Sequence, residues 1–274
     1  MSGVSGIGTT LWMALEASTA LTVGLSVLLG LAIGSFLTVV AHRMPARVLQ
    51  DEKPHMGLAW PGSHCPQCTT PLTIWQNVPV LGYLMLRGRC GFCREPISIR
   101  YPLTEAFTAL LFGAIAWQFG PSAKAIAAFV FVAFLVALSL IDLEHFILPD
   151  ELTLLLMWLG LLVNTAGLFC SLESAVWAAA LGYASLWLIH HLYLWVRKKE
   201  GLGYGDFKLL AAIGAWLGLE ALPWVLFGAA SIGAVVGLVG IVVFKRASDA
   251  PLPFGPFLAA SAVFALLALS PGPL

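Results

Sequence analysis

The chain has 274 residues, of which 59% are hydrophobic and 10% charged, and its 14 acidic residues balance its 14 basic ones. Soluble domains carry about a quarter charged residues, so this composition excludes an ordinary soluble protein and indicates a membrane protein. The net charge of zero by itself says nothing about partners, and we expect no nucleic-acid partner. Membrane lipids are the expected surroundings.

Windows of about 20 residues, the length of helix that crosses a bilayer, predict eight membrane spans. The predicted fold class is an all-α polytopic membrane protein with about eight transmembrane helices. The first 20 residues carry no Lys or Arg and no clear cleavage site, so we expect no cleaved signal peptide. Glu220 and Pro223 alone separate the sixth span from the seventh. The predicted spans are 19–41, 102–119, 124–141, 151–170, 174–196, 207–222, 223–244 and 252–270.

The basic residues predict the orientation. All of them except Lys124 lie in segments that alternate crossings would place on one side of the membrane. The positive-inside rule makes this side the cytoplasm, so we expect both termini to face outward. The residues on the basic side are Arg43, Arg47, Lys53, Arg87, Arg89, Arg94, Arg100, Arg197, Lys198, Lys199, Lys208, Lys245 and Arg246.

Four of the five cysteines lie between the first two spans. The predicted domains are a first transmembrane helix (1–41), a cytoplasmic insert (42–101) and a seven-helix membrane domain (102–274). The insert contains the pairs C-P-Q-C and C-G-F-C, with Cys65, Cys68, Cys90 and Cys93. Two C-x-x-C turns are typical of a structural zinc ribbon, because each delivers two thiolates from one tight loop. Disulfides or a redox role are the alternatives, which a reducing cytoplasm disfavours.

Two aspartates lie beside apolar runs. Asp142 ends the third predicted span and Asp206 precedes the sixth, so both are expected at the cytoplasmic edge of the membrane. An isolated acid there is costly, which makes each a candidate functional residue. Two adjacent carboxyl groups could share a proton as the acid and base of an aspartic protease. Gly201, Gly203 and Gly205 would permit a close backbone approach.

Helix capping is the competing interpretation of these acids. Asp before an apolar run is a common N-cap, which would explain Asp206 without catalysis. It explains Asp142 less well, because a helix C-terminus disfavours negative charge. Capping accounts for Asp150 and Glu151, which follow Pro149 at the start of the fourth span.

Several motifs in order resemble the type IV prepilin peptidases, membrane aspartic proteases that also process the pseudopilins of type II secretion. The resemblance covers nearly the whole chain. It rests on the two C-x-x-C pairs and on GSFLTVVAHRMP (34–45), NVPVLGYLMLRGRC (77–90), ISIRYPLTEAFTALLF (97–112), IDLEHFILPD (141–150) and GLGYGDFKLLAAIGAW (201–216).

The resemblance implies that Asp142 and Asp206 are the catalytic pair. It implies cleavage of a basic leader after a glycine, in the bacterial inner membrane, on prepilin or pseudopilin substrates. Members with the cysteine insert also methylate the new N-terminus with S-adenosylmethionine, although the sequence indicates no residues that bind it. The family commonly has Asn where this chain has Thr38, which offers no amide donor. Glu105 is interpreted as a partner of Arg100 or as a polar helix start.

Other classes of function stay open from sequence. A presenilin-like G-x-G-D protease would cut inside a transmembrane helix, but such enzymes lack the insert and place both acids deeper. A membrane transporter or scaffold could use paired acids as a proton relay. A transporter is expected to show internal repeats and broken helices, which this sequence does not show convincingly.

Overall fold

A computed structural model describes residues 15–49, 62–198, 202–245, 247 and 251–269. Several predictions concern residues outside these ranges: the outward termini, the basic residues Lys53, Lys199 and Arg246, and Gly201. The side chain of Arg47 also lies outside the described part of the chain.

The described ranges contain nine α-helices, and their β-structure is limited to two isolated bridges. A 3₁₀ turn at Trp75–Asn77 lies between the first two of these helices. The helices are α1 (Thr19–Leu49), α2 (Leu81–Met85), α3 (Arg100–Phe119), α4 (Ala123–His145), α5 (Asp150–Thr165), α6 (Leu172–Arg197), α7 (Tyr204–Leu217), α8 (Leu222–Val242) and α9 (Gly255–Leu269).

A helix occupies most of each predicted span. Among the described helices, four are long and apolar enough to cross a membrane: Thr19–Pro45 within α1, α4, α6 and α8. The break predicted around Glu220 is present, because α7 ends at Leu217 and α8 begins at Leu222. Many large apolar side chains on these helices are exposed, which suits a surface that faces lipid. The chain is therefore a helical membrane protein.

The chain divides into two compact units, Met1–Phe129 and Val130–Gly272, with the boundary inside α4. In the first unit α1 packs against α3. A Cβ added at Gly30 would approach the Cα of Ala109 to 2.6 Å, and one at Gly34 would approach the Cα of Glu105 to 2.8 Å. Glycine at both positions therefore permits direct backbone contact, and the pairing shows that the two helices run antiparallel.

In the second unit α7 lies at the centre, between α5 and α6. Every side chain from Leu209 to Trp216 is buried. A Cβ added at Gly214 would lie 2.5 Å from the carbonyl oxygen of Ala178 on α6, so α6 and α7 meet backbone to backbone. The Trp216 indole donates to the Leu156 carbonyl on α5 at 2.7 Å, so its polar atom is satisfied in the core.

Asn164 binds the C-terminal end of α7. Its amide nitrogen donates to the carbonyls of Ala215 and Trp216 at 2.8 and 2.9 Å. Its oxygen accepts from the amides of Phe169 and Cys170 at 3.0 and 3.2 Å. One buried side chain thus satisfies the carbonyls at the end of α7 and the loop after α5, which would otherwise be costly to bury. Cys170 also packs here, with its Sγ atom 3.9 Å from the Trp216 carbonyl oxygen.

We predict that Gly214→Ala lowers the thermal unfolding midpoint of the detergent-solubilised protein, by the equivalent of about 1–3 kcal/mol, because the added methyl group meets backbone atoms that cannot rotate away. The matched control is Gly24→Ala, also in a helix interior, where an added Cβ meets nothing within 4 Å. That variant should keep or raise the midpoint. Equal midpoints for both variants would contradict the close contact between α6 and α7.

Candidate active site and metal centre

Asp142 lies in the last turn of α4 and is 5% exposed. Its Oδ2 atom accepts a hydrogen bond of 2.9 Å from the backbone amide of Gly255, the first residue of α9. The first amides of a helix lack partners within that helix and carry partial positive charge. The partial negative charge at the C-terminus of α4 disfavours the Asp142 carboxylate, and the partial positive charge at the N-terminus of α9 therefore stabilises it.

Asp206 lies in the first turn of α7 and is 7% exposed. Its Oδ2 atom accepts from the amide of Gly203, the N-cap residue, at 3.2 Å. This is the side-chain half of a capping box. Asp206 is thus not the predicted N-cap, which is Gly203, but the third helical residue, whose side chain caps the helix by accepting the Gly203 amide; an ordinary cap does not require such burial.

Leu148 packs between the backbones that hold the two aspartates. Added Cβ atoms at Gly205 and Gly255 would lie 2.8 Å from its Cβ and 3.3 Å from its Cδ2, respectively. An added Cβ at Gly255 would also lie 2.7 Å from the Asp142 Oδ2 atom. Of the glycines singled out in the sequence, Gly205 thus serves tight packing. No sequence signal pointed to Gly255, which lies 113 residues from Asp142.

The two carboxylates are brought together. Asp142 and Asp206 lie within electrostatic range of each other, and Leu148 contacts both Gly205, beside Asp206, and Gly255, which binds Asp142. Both are largely removed from water, each is anchored through Oδ2 by a backbone amide, and they come from different helices. The expectation that the two acids share one end of the helices is met in the geometry of this unit.

Asp150 has a different role from the predicted cap. The N-cap of α5 is Pro149, and Asp150 is the first helical residue. Its two carboxylate oxygens accept from the Nζ atom of Lys208 on α7 at 2.6 and 2.7 Å. This exposed ion pair links α5 to α7, and Lys208 lies about half a helical turn after Asp206. The pair's contribution to stability is small, about 0–1 kcal/mol.

His190 on α6 adds a buried ring against two aromatic residues that lie near Asp206 in the sequence. The ring contacts Tyr204 and Phe207, with centroid separations of 5.4 and 5.5 Å. Its Nδ1 atom is the one buried side-chain nitrogen or oxygen without a hydrogen-bond partner in the described part of the chain. The sequence offered no pattern that would single out this histidine.

The four cysteines of the first unit converge. Their Sγ atoms all lie within 4.8 Å of one another, with 3.8 Å between Cys65 and Cys93 and 4.0 Å between Cys68 and Cys90. A tetrahedron with Zn–S bonds of about 2.3 Å has S···S edges of about 3.8 Å. The donor set therefore fits a tetrahedral zinc ion. His64 binds the Gly62 carbonyl at 3.0 Å, as an ordinary loop histidine would.

The two C-x-x-C turns have the same backbone. The amides of Cys65 and Cys90 donate to the carbonyls of Thr70 and Glu95, respectively. The residues after the second cysteine of each pair, Thr69 and Arg94, both have positive φ. Isolated bridges, His64 with Pro71 and Arg89 with Pro96, close each turn. Two equivalent knuckles that face each other are the framework of a zinc ribbon.

The thiols differ in their protonation. Hydrogen bonding from Thr70 lowers the pKa of the Cys68 thiol to about 6, which favours the thiolate that metals bind. The Glu95 amide lowers the pKa of Cys93, but desolvation and the neighbouring thiols outweigh it and raise that pKa to about 12. Four thiolates at this spacing repel one another, so a bound cation would relieve the repulsion.

Two residues of the family motifs make hydrogen bonds within the first unit. The buried Glu105 accepts from the backbone amide of Val80 at 2.7 Å, a contact that its sequence position did not suggest. Thr38 donates its hydroxyl to the Ser35 carbonyl at 2.7 Å within α1. Glu105 thus ties the insert to α3.

Comparisons with known proteins agree with these two regions. Residues 28–119 match the family described as "Bacterial Peptidase A24 N-terminal domain", and residues 129–238 match the type IV leader peptidase family. The four cysteines lie in the first match, and Asp142 and Asp206 lie in the second. No solved structure matches the chain.

Curated relatives match over most of their length and carry the name prepilin leader peptidase/N-methyltransferase. The protein of Burkholderia pseudomallei is 50% identical, over 88% of this chain and 84% of its own. That of Stutzerimonas stutzeri is 44% identical, over 88% and 89%, and that of Neisseria gonorrhoeae is 42% identical, over 90% and 91%. The chain therefore belongs to the type IV leader peptidase family and is a bacterial membrane peptidase.

Proposed function

We propose that this enzyme is an aspartic endopeptidase that removes the basic leader of type IV prepilins or type II secretion pseudopilins by cutting after a glycine. The names of the relatives support the substrate class. The observation that carries the mechanism is the pair of buried, interacting carboxylates of Asp142 and Asp206, each held by one backbone amide.

The pair can act as acid and base. Two neighbouring carboxyl groups in a poorly hydrated site do not readily ionise together, so they share one proton. The ionised member takes a proton from a water molecule, which attacks the scissile carbonyl carbon. The protonated member donates to the carbonyl oxygen. When the tetrahedral intermediate collapses, the first member passes the proton it took from water to the leaving amine, and the second takes its proton back from the intermediate's hydroxyl group. Because the amides of Gly203 and Gly255 hold the Oδ2 atoms, the Oδ1 atoms are the ones we assign to the water and the substrate.

We propose the finer topology as well. The enzyme crosses the bacterial inner membrane eight times, with the aspartates at the cytoplasmic face and both termini outward. The eight helices that occupy the predicted spans and the one-sided basic residues support this arrangement. The proposed domains are a first transmembrane helix (1–41), the insert (42–101) and the membrane peptidase (102–274).

A second activity follows from the relatives' names. We propose that the enzyme transfers a methyl group from S-adenosylmethionine to the amine that cleavage exposes. We assign no described residues to the methyl donor. The four cysteines would hold a structural zinc ion, because a site closed by four thiolates leaves no position for water or substrate. The metal would supply folding free energy to an insert too small to form a core of its own.

We predict that Asp142→Asn and Asp206→Asn each lower prepilin cleavage by at least about a hundredfold, because an amide cannot act as the base or the acid. Mass spectrometry of a purified prepilin incubated with each variant measures the cleavage. Asp150→Asn is the control, since it makes the same change at an exposed carboxylate that is paired with Lys208. If either dyad variant retains more than a few per cent of wild-type activity, the proposed mechanism is wrong.

We predict one zinc ion per chain, bound by the four clustered cysteines. Cys65→Ser or Cys90→Ser should lower the zinc content and make the insert more sensitive to protease, because three thiolates leave the tetrahedral site incomplete. Elemental analysis of the purified protein measures the metal. Cys170→Ser serves as the control, since this cysteine lies in the other unit against Trp216. Wild-type protein without zinc, or with disulfides between the clustered cysteines, would exclude the structural metal.

We predict that the two activities separate by region. Substitutions within 42–101 should impair methylation more than cleavage, and Asp206→Asn should still methylate a mature, unmethylated pilin. The separate family matches motivate this, since the cysteines and the aspartates belong to different ones. The measurement is methyl incorporation from labelled S-adenosylmethionine. If only the wild type transfers methyl groups, the aspartates also serve methylation. If neither enzyme transfers them, the proposed methyltransferase activity is wrong.

A further inference from the structure

We propose that the segment formed by the 3₁₀ turn and α2 lies in the lipid bilayer, with its apolar side chains at the boundary between headgroups and acyl chains. The apolar edge of this segment consists of Ile74, Trp75, Leu81, Leu84 and Met85, which are 57–84% exposed. The proposed partner is an anionic bilayer surface. The inference does not depend on the peptidase mechanism, because it concerns only the first unit.

The depth of the segment follows from the contacts of Glu105. Glu105 on α3 lies against Gly34 of α1, which is inside the candidate membrane span Thr19–Pro45. The first predicted span ends at residue 41, so at about 1.5 Å per residue Gly34 lies roughly 10 Å along the helix from that end. Glu105 accepts the amide of Val80, the residue directly before α2. Because helical side chains lean toward the N-terminus, Val80 should lie somewhat nearer the membrane surface than Gly34 does.

The backbone of this segment is suited to leaving water. Non-helical backbone at membrane depth is tolerated only when its polar groups are satisfied within the protein. The amide of Thr73 donates to the Gln76 side chain. The backbone at Gly82 packs so closely on the 3₁₀ turn that an added Cβ would collide with the Gln76 carbonyl. Intramolecular acceptors are also present for the amides of Asn77, Val80, Leu81, Gly82, Leu84, Leu86, Arg87 and Gly88.

Positive charge borders the apolar edge. Arg87 and Arg89 follow α2 directly, Arg94 lies in the second knuckle, and all three are exposed. An apolar face with adjacent arginines is typical of elements that lie in the membrane interface and attract anionic lipids. The apolar surface continues on the first turn of α3, where Tyr101 and Leu103 are 42% and 59% exposed. Charge and continuity thus favour lipid over a protein partner.

Fluorescence quenching in nanodiscs of phosphatidylcholine and phosphatidylglycerol tests the depth. Subtracting the emission spectrum of Trp75→Phe from that of the wild type gives the contribution of Trp75, one of the ten tryptophans. Trp117→Phe provides a matched reference, because Trp117 is 73% exposed against 74% for Trp75 and lies near the other end of α3. Brominated acyl chains should dim the Trp75 component about as much as the Trp117 component, and bromines near the headgroup should be the more effective at Trp75.

The opposite result would overturn the proposal. If brominated lipid leaves the Trp75 component bright while aqueous iodide quenches it, the segment lies in water. Trp75→Phe retains an aromatic ring at an exposed site, so its folding is not at risk.

A photo-crosslinker identifies the occupant of the apolar edge. p-Benzoylphenylalanine in place of Leu84, illuminated in the same nanodiscs with prepilin present, should form adducts with lipid. The same residue in place of Phe92, which is 53% exposed in the second knuckle, is the control and should form fewer. Adducts predominantly with the prepilin or with a second copy of this chain would replace lipid as the partner and refute the proposal.

Discussion

The hydrogen bond from the Gly255 amide to the Asp142 carboxylate is the contact on which the arrangement of the second unit depends. A buried carboxylate at the end of α4 is unfavourable unless positive potential compensates it, and the start of α9 supplies that potential. Gly255 permits the approach because a side chain there would collide with the carboxylate and with Leu148. The same leucine packs on Gly205, so the positions of the two aspartates are coupled through one side chain.

The two units illustrate opposite solutions to crowding of like groups. Asp142 and Asp206 are two potential negative charges that one shared proton can relieve, and that proton can take part in a reaction. The four thiols also crowd together. The proposed zinc ion would relieve their repulsion, and a site closed by four ligands would leave no position for a reaction. Under the proposed function, the carboxylates therefore carry the reaction and the cysteines carry stability.

Much of the fold was predictable from sequence because lipid imposes a strong pattern. Apolar runs gave the positions of the eight helices, and Glu220 with Pro223 marked the break between α7 and α8. The C-x-x-C spacing gave the cysteine cluster. Contacts between distant residues were not predictable: Gly255 with Asp142, Lys208 with Asp150, and Val80 with Glu105. Each depends on how helices pack, which local periodicity does not encode.

The same constraint unites these long-range contacts. Polar groups that enter a membrane need partners inside the protein, because the bilayer offers none. Asp142 and Asp206 use backbone amides, Asn164 satisfies the end of α7, and Glu105 takes the free amide at the start of α2. These contacts hold acidic or irregular elements at positions that hydropathy alone would forbid. The proposed cleavage at the membrane edge requires such elements there, so the hydrogen bonds that permit their burial would also position the reacting groups.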